Sequence, residues 1–107
     1  MNVQGLRDAF KTREETNDEW QDAIEKCWEQ EAKLLSEDVA GTIDYLDSEC
    51  TQDELAWISE IFEELLETTQ SRSLLNHLGN AIDRLFEGDE RNHMHRLLEY
   101  GASYLME

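Results

Sequence analysis

Apolar residues at helical spacing constrain this chain more than any other feature. Leu55, Ile58, Ile61, Phe62, Leu65 and Leu66 recur at intervals of three and four, which a rotation of about 100° per residue gathers into one stripe. Trp20, Ala23, Ile24, Cys27, Trp28, Leu34 and Leu35 form a second stripe. Leu74, Leu75, Leu78, Ala81, Ile82, Leu85 and Phe86 form a third. No proline interrupts any of them, so nothing in the chain forces a helix to kink. Each stripe must be buried against another. The pattern therefore predicts an all-α fold: a compact antiparallel bundle or an array of αα-hairpins, of about five to six helices. The 107 residues suffice for one modest core, so residues 1–107 form a single domain.

Capping residues set the expected boundaries. A short first helix covers Val3–Thr12, with Leu6 and Phe10 on one side. The second runs from Asn17 to Leu35, with Asp18, Asp22, Glu25 and Glu29 opposite its apolar stripe. Glu31 falls inside that stripe, either near a helix end or as an inward carboxylate with a partner. Ser36 is the expected N-cap of the third helix, which turns Val39, Ile43 and Leu46 inward and carries Gly41. Thr51 and Glu54 fit a capping box, with Cys50 and Leu55 as its hydrophobic staple. The fourth helix then runs unbroken to about Thr68. Ser71 caps the fifth, and Gly88 is its expected stop. Asp89 caps the sixth, which buries Met94, Leu97, Leu98 and Leu105. Gly79 and Gly101 mark expected close approaches between helices.

Charge narrows the function. Asp and Glu number 26 against 9 Lys and Arg, a net charge of −17. Residues 1–67 hold 20 acids and 5 bases, whereas residues 68–107 hold 6 acids and 4 bases. A surplus of this size opposes compaction. It argues against direct nucleic-acid binding, which needs clustered Lys and Arg, and against anionic membranes. It suits a basic protein surface, although a solvated, solubilising surface is the plain alternative. The apolar stripes argue against disorder. No apolar run reaches membrane-spanning length and Met1–Phe10 has no signal-like core, so a cytoplasmic protein with reduced Cys27 and Cys50 is expected.

Catalytic constellations are scarce. The cysteines lack metal-ligand spacing, and no phosphate loop or EF-hand pattern occurs. Glu90-Arg91-Asn92-His93 is one Glu-x-x-His, where a di-metal bundle needs two. His93 and His95, two residues apart, point to different sides of a helix. No enzyme activity, metal or cofactor is expected.

The fourth helix offers the preferred binding face. On an unbroken helix Glu63, Glu67, Glu60, Asp53 and Glu64 lie between about 80° and 180° from Leu55, and Trp57 follows at about 200°. An aromatic residue at the margin of an acidic face has the composition of a binding hot spot. Packing of Trp57 under a neighbouring helix is the alternative. The acids of the second helix rank lower, having no aromatic at their edge.

The stretch Cys50-Thr51-Gln52-Asp53-Glu54-Leu55-Ala56-Trp57-Ile58-Ser59-Glu60-Ile61-Phe62-Glu63-Glu64-Leu65, continuing Leu66-Glu67-Thr68-Thr69-Gln70-Ser71, resembles a segment of small bacterial immunity proteins. These belong to contact-dependent growth inhibition and related polymorphic toxin systems. The likeness covers about a fifth of the chain, and elsewhere extends only to size, helicity and acidity. It implies a cytoplasmic inhibitor of one cognate toxin C-terminal domain, commonly a basic nuclease, that covers the toxin's active-site or substrate surface. It assigns no contact residues. The alternative is a phage- or plasmid-encoded acidic nucleic-acid mimic that inhibits a restriction or DNA-binding protein.

Overall fold

The computed structural model describes residues 1–106. Among the described residues seven helices follow one another: α1 (Val3–Glu15), α2 (Gln21–Ser36), α3 (Val39–Ser48), α4 (Gln52–Ser59), α5 (Phe62–Thr69), α6 (Arg72–Leu85) and α7 (Gly88–Ala102). No strand occurs among the described residues. Two sequential pairs, α1 with α2 and α6 with α7, pack as hairpins, and α5 fits between α2 and α7 while α3 lies on α6. The radius of gyration is 13.0 Å and the extents are 32 × 30 × 27 Å. The short helices thus form a near-isotropic array rather than one long bundle.

The expected stripes supply the core. Leu55, Ile58, Ile61, Phe62, Leu65, Leu66, Leu74, Leu78, Ala81 and Ile82 are all essentially sealed from solvent. Leu6, Phe10, Leu35, Leu46, Met94 and Leu98 join them in one continuous cluster. No helix among the described residues is long and apolar enough to cross a membrane.

The capping box forms as expected. The Thr51 hydroxyl accepts from the Glu54 N–H at 3.2 Å, and Glu54 Oε1 accepts from the Thr51 N–H at 3.1 Å. Glu54 also accepts from Arg7 Nε of α1 at 2.7 Å and from the Tyr45 hydroxyl of α3 at 2.9 Å. Burial opposes ionisation of Glu54, yet Arg7, the Thr51 N–H and Tyr45 together hold its carboxyl below the usual range. Cys50 and Leu55, at the staple positions, are both buried in the core. Ser71 caps α6 by accepting from the Leu74 N–H at 3.0 Å.

Several boundaries differ from expectation. The helix expected from Thr51 to Thr68 breaks at Glu60–Ile61, which raises the count to seven. The Ser59 hydroxyl donates to the Ala56 carbonyl at 2.5 Å, and Ile61 N donates to Ile58 O at 2.9 Å. Such local bonds satisfy the last carbonyls of α4 and end it. Glu63 and Glu64 then lie in the first turn of a new helix, where the macrodipole favours acids.

Asp38, not Ser36, caps α3. Its carboxylate accepts from the Gly41 N–H at 3.0 Å and also pairs with the amino terminus at 3.1 Å. Ser36 instead closes α2 and points back to the Lys33 carbonyl. At the start of α7, Glu87 takes the N-cap position and Asp89 lies inside the helix; Gly88, at φ +64°, is the first residue of α7 and not the stop of α6, which ends at Leu85 with Phe86 as its C-cap. Gly101 is a true close approach: a Cβ there would lie 3.2 Å from the Phe62 carbonyl carbon and Cβ. Gly79 is not, because its nearest neighbour, Leu98 Cδ2, would sit at an ordinary 3.8 Å.

Trp20, placed by periodicity on the inward stripe of the second helix, is 64% exposed. An Asn17-centred turn delays the helix, with Glu19 N donating to Asn17 Oδ1 and Trp20 N to Asn17 O. Trp20 is therefore the N-cap of α2, outside the 100° progression that governs the residues after it.

Candidate functional site

α1 runs three residues past its expected end, and this extension positions a cluster that links three parts of the fold. Arg13 follows Leu6 and Phe10 on the inward face of α1 and is itself buried. Its Nε and Nη2 donate to Glu60 Oε1 and Oε2, at 3.1 and 3.0 Å, so the pair is bidentate. Arg13 Nη1 reaches Asp18 at 3.4 Å. The Trp28 indole Nε1 of α2 donates to Glu60 Oε1 at 3.1 Å. The guanidinium carbon of Arg13 stands 5.4 Å from the centroid of Trp57, within cation–π range. The turn between α4 and α5 is thus bonded to α1 and α2 through a single carboxylate.

Glu31 of α2 belongs to the same neighbourhood. It is 0% exposed, and neither carboxylate oxygen has a hydrogen-bond partner. Burial first, and the charge of Glu60 second, push its ionisation up to about 8, against the opposing pull of Arg13. Glu31 is therefore inward, in mid-helix, and lacks the partner anticipated for it.

A surface groove of about 390 Å³ opens beside the cluster, lined by Glu14, Asp53, Ala56, Trp57 and Glu60. Three of the six expected binding residues, Asp53, Trp57 and Glu60, meet there. Glu63, Glu64 and Glu67 are exposed but lie on α5, beyond the break. The single five-acid face of an unbroken helix is thus replaced by two groups. Glu60 is not a free carboxylate, since Arg13 and Trp28 engage it. Trp57 is half-buried against the core, so the packing alternative describes part of its surface and the groove the rest.

Glu14, Arg13 and Trp28 were not among the expected site residues. Arg13 was legible in principle, because Leu6, Phe10 and Arg13 share one face at intervals of four and three. Glu14 and Trp28 enter through tertiary packing, which local spacing does not encode.

Two of the three histidines pair with aspartates. His77 meets Asp47 at 2.9 Å, and His95 meets Asp83 at 2.7 Å beside Arg91. His93 is exposed. Cys27 and Cys50 are unlinked, buried thiols, and burial pushes Cys50 up to about 11. No group of three or more His, Cys, Asp or Glu side chains is placed to share a metal ion among the described residues. Comparison with known proteins found no matching family model, no curated relative and no solved structure.

Proposed function

We propose that this protein is an immunity-type binding module that neutralises a basic partner protein, a toxin domain of the nuclease class, by occupying the surface that partner uses for phosphate. The groove at Asp53 and Trp57 carries this reading. There Glu14 and Asp53 stand exposed beside an indole whose orientation is held by Arg13. Exposed carboxylates beside an aromatic surface suit the Lys and Arg of a phosphate-binding site, pairing with their charge while the indole stacks on their planes. Glu60 acts in this reading as the strut that positions the groove. Glu63, Glu64 and Glu67 on α5 extend the acidic field and accelerate encounter.

The test is co-purification with the product of the adjacent gene, followed by charge reversal in two separate sets. Glu14→Lys with Asp53→Lys should weaken the complex through faster release and slower association. Glu63→Lys, Glu64→Lys and Glu67→Lys together should slow association while changing release little. Full affinity in both sets, together with indifference to salt, would remove the acidic mechanism. A phage nucleic-acid mimic remains the alternative assignment, distinguished by capture of a restriction or DNA-binding protein instead.

A further inference from the structure

Trp20 and the space next to it have no role in the core. Trp20 lies outside the continuous hydrophobic cluster, whereas Trp28 and Trp57 pack against it. Beside Trp20, small side chains on facing helices leave a trough of about 310 Å³ between α1 and α2, lined by Ala9, Thr12, Thr16, Ala23, Cys27 and Gln30. Lys26 borders it, and Ala23 and Lys26 also border the depression in which Trp20 sits. The two features therefore form one surface: an indole at the head of α2 and an apolar trough running on from it. Because Trp20 and the trough are continuous through Ala23, they make a contiguous apolar patch and not a lone exposed side chain, which is the kind of surface that serves contacts.

Charge selects the occupant. Residues 14–30 hold seven acids, Glu14, Glu15, Asp18, Glu19, Asp22, Glu25 and Glu29, against one base, Lys26. Arg13 offsets only Asp18 among them, at 3.4 Å, because Glu60 engages the rest of its guanidinium inside the fold. A second copy of this chain would bring the same acidic rim against itself, and an anionic lipid or nucleic acid would be repelled in the same way. We infer that the α1–α2 trough with Trp20 is a docking surface for a basic amphipathic segment of a partner protein, which places an apolar side chain in the trough and Lys or Arg on the rim and over the indole. This rests on the reading of the protein as a binder of basic proteins, and adds where that partner is anchored. It also gives the acids of α2 the edge aromatic that periodicity denied them.

The probe is a short amphipathic helix of leucine and lysine, titrated into ¹⁵N-labelled full-length protein. A peptide of equal charge, with glutamine for each leucine, is the control. The Trp20 indole signal and the amides of Thr12, Thr16, Ala23 and Cys27 should shift, and those of Asp53 and Trp57 should not. Trp20→Ala should weaken the leucine–lysine peptide at least about tenfold, as loss of an anchoring aromatic does. Ala23→Leu, which fills the trough at constant charge in a residue well suited to helices, should do the same. If the shifts centre on Asp53 and Trp57 and neither variant matters, the docking surface is wrong while the acidic reading stands. The same holds if the glutamine peptide binds as tightly as the leucine peptide. Concentration-dependent shifts at Trp20 without peptide, with dimers in sedimentation, would make a second copy the occupant and overturn the inference. If neither basic peptide binds, both readings fall.

Discussion

Replacing Glu31 by methionine should stabilise the protein, by an amount set by pH. Glu31 is sealed from solvent with both oxygens unpartnered, and its ionisation moves from an ordinary 4.5 to about 8. Between those values the unfolded chain has released the proton while the folded chain retains it. The folded state binds more protons there, so stability falls as pH rises through that window. Below about 4.5 both states are protonated, and above about 8 both are ionised, so the slope vanishes at either end. Each unit corresponds to about 1.4 kcal/mol, which places the cost near 3 kcal/mol at pH 7 and near 5 kcal/mol above pH 8, as order-of-magnitude figures. Methionine is of similar length, has no charge and adapts to irregular space. Glu31→Met should therefore be more stable than wild type by about 3 kcal/mol at pH 7. Its advantage should be small near pH 5 and widen until about pH 8. Urea denaturation followed by circular dichroism, at intervals from about pH 5 to 9, measures that difference directly. The other acids are common to both proteins and largely cancel in the comparison. A gap that is constant with pH, or a variant less stable at every pH, would show that Glu31 is not held as a buried, protonated carboxyl.

Two further substitutions test contacts that hold the array together. Glu54→Ala removes the acceptor shared by Arg7, Tyr45 and the Thr51 N–H, and should cost about 2–3 kcal/mol at pH 7 in chemical denaturation. Because the Glu54 carboxyl is held below its ordinary range, its contribution is present above that range and should fade as pH falls through it. Gly101→Ala should cost about 1–3 kcal/mol, because its Cβ would meet Phe62 at 3.2 Å and the Glu63 nitrogen at 3.3 Å, and backbone cannot move aside as a side chain can. Unchanged stability there would mean that α5 and α7 are not so closely apposed.

Local signals carried the fold a long way, and their failures have definite causes. Thr51 and Glu54 predict a helix start because both bonds of a capping box form within four residues, and the box is present. The apolar stripes identify the core because burial follows periodicity once a helix is under way. The break at Glu60–Ile61 was not legible in that periodicity, since Ile58, Ile61 and Phe62 would share a stripe on a straight helix too. Local bonds at Ser59 and Ile61 close α4, and Arg13 and Trp28, 47 and 32 residues away from Glu60 in the chain, hold that residue at the break. Trp20 leaves its stripe through a local device alone: the turn at Asn17 takes it out of the helix, and apolar spacing does not register such a turn. For the candidate site, the sequence supplied Asp53, Trp57 and Glu60 as neighbours. It could not supply Glu14 from α1, or separate Glu63, Glu64 and Glu67 from them, because both depend on how the helices are set against one another.

Four of the nine basic residues bond between elements of the fold and help to hold so acidic a chain together. Arg7 bonds Glu54 across α1 and α4, Arg13 bonds Glu60 across α1 and the α4–α5 turn, Arg84 reaches the Leu46 carbonyl of α3, and Arg91 bonds Asp83 across α7 and α6. These cations tie helices to one another and do not blanket the surface. Asp22, Glu25, Glu29, Asp53, Glu63, Glu64 and Glu67 are left exposed, within a net charge of −17. Short contacts, partly buried as at Arg13, are screened little by salt, whereas repulsion between surface carboxylates a screening length apart is screened strongly. Salt should therefore act in opposite directions on the free protein and on the proposed complex with a basic partner. Raising sodium chloride from about 0.02 to 0.5 M, which shortens the screening length from about 20 Å to about 4 Å, should raise the thermal midpoint of the free protein, because self-repulsion is relieved. The same change should slow association with a basic peptide or partner and lower its affinity. Thermal melts and binding measured in the same buffers supply the comparison. A midpoint that falls with salt would mean that surface ion pairs, not repulsion, dominate the electrostatics. An affinity indifferent to salt would mean that the exposed carboxylates serve solubility, and that recognition lies in the apolar trough alone.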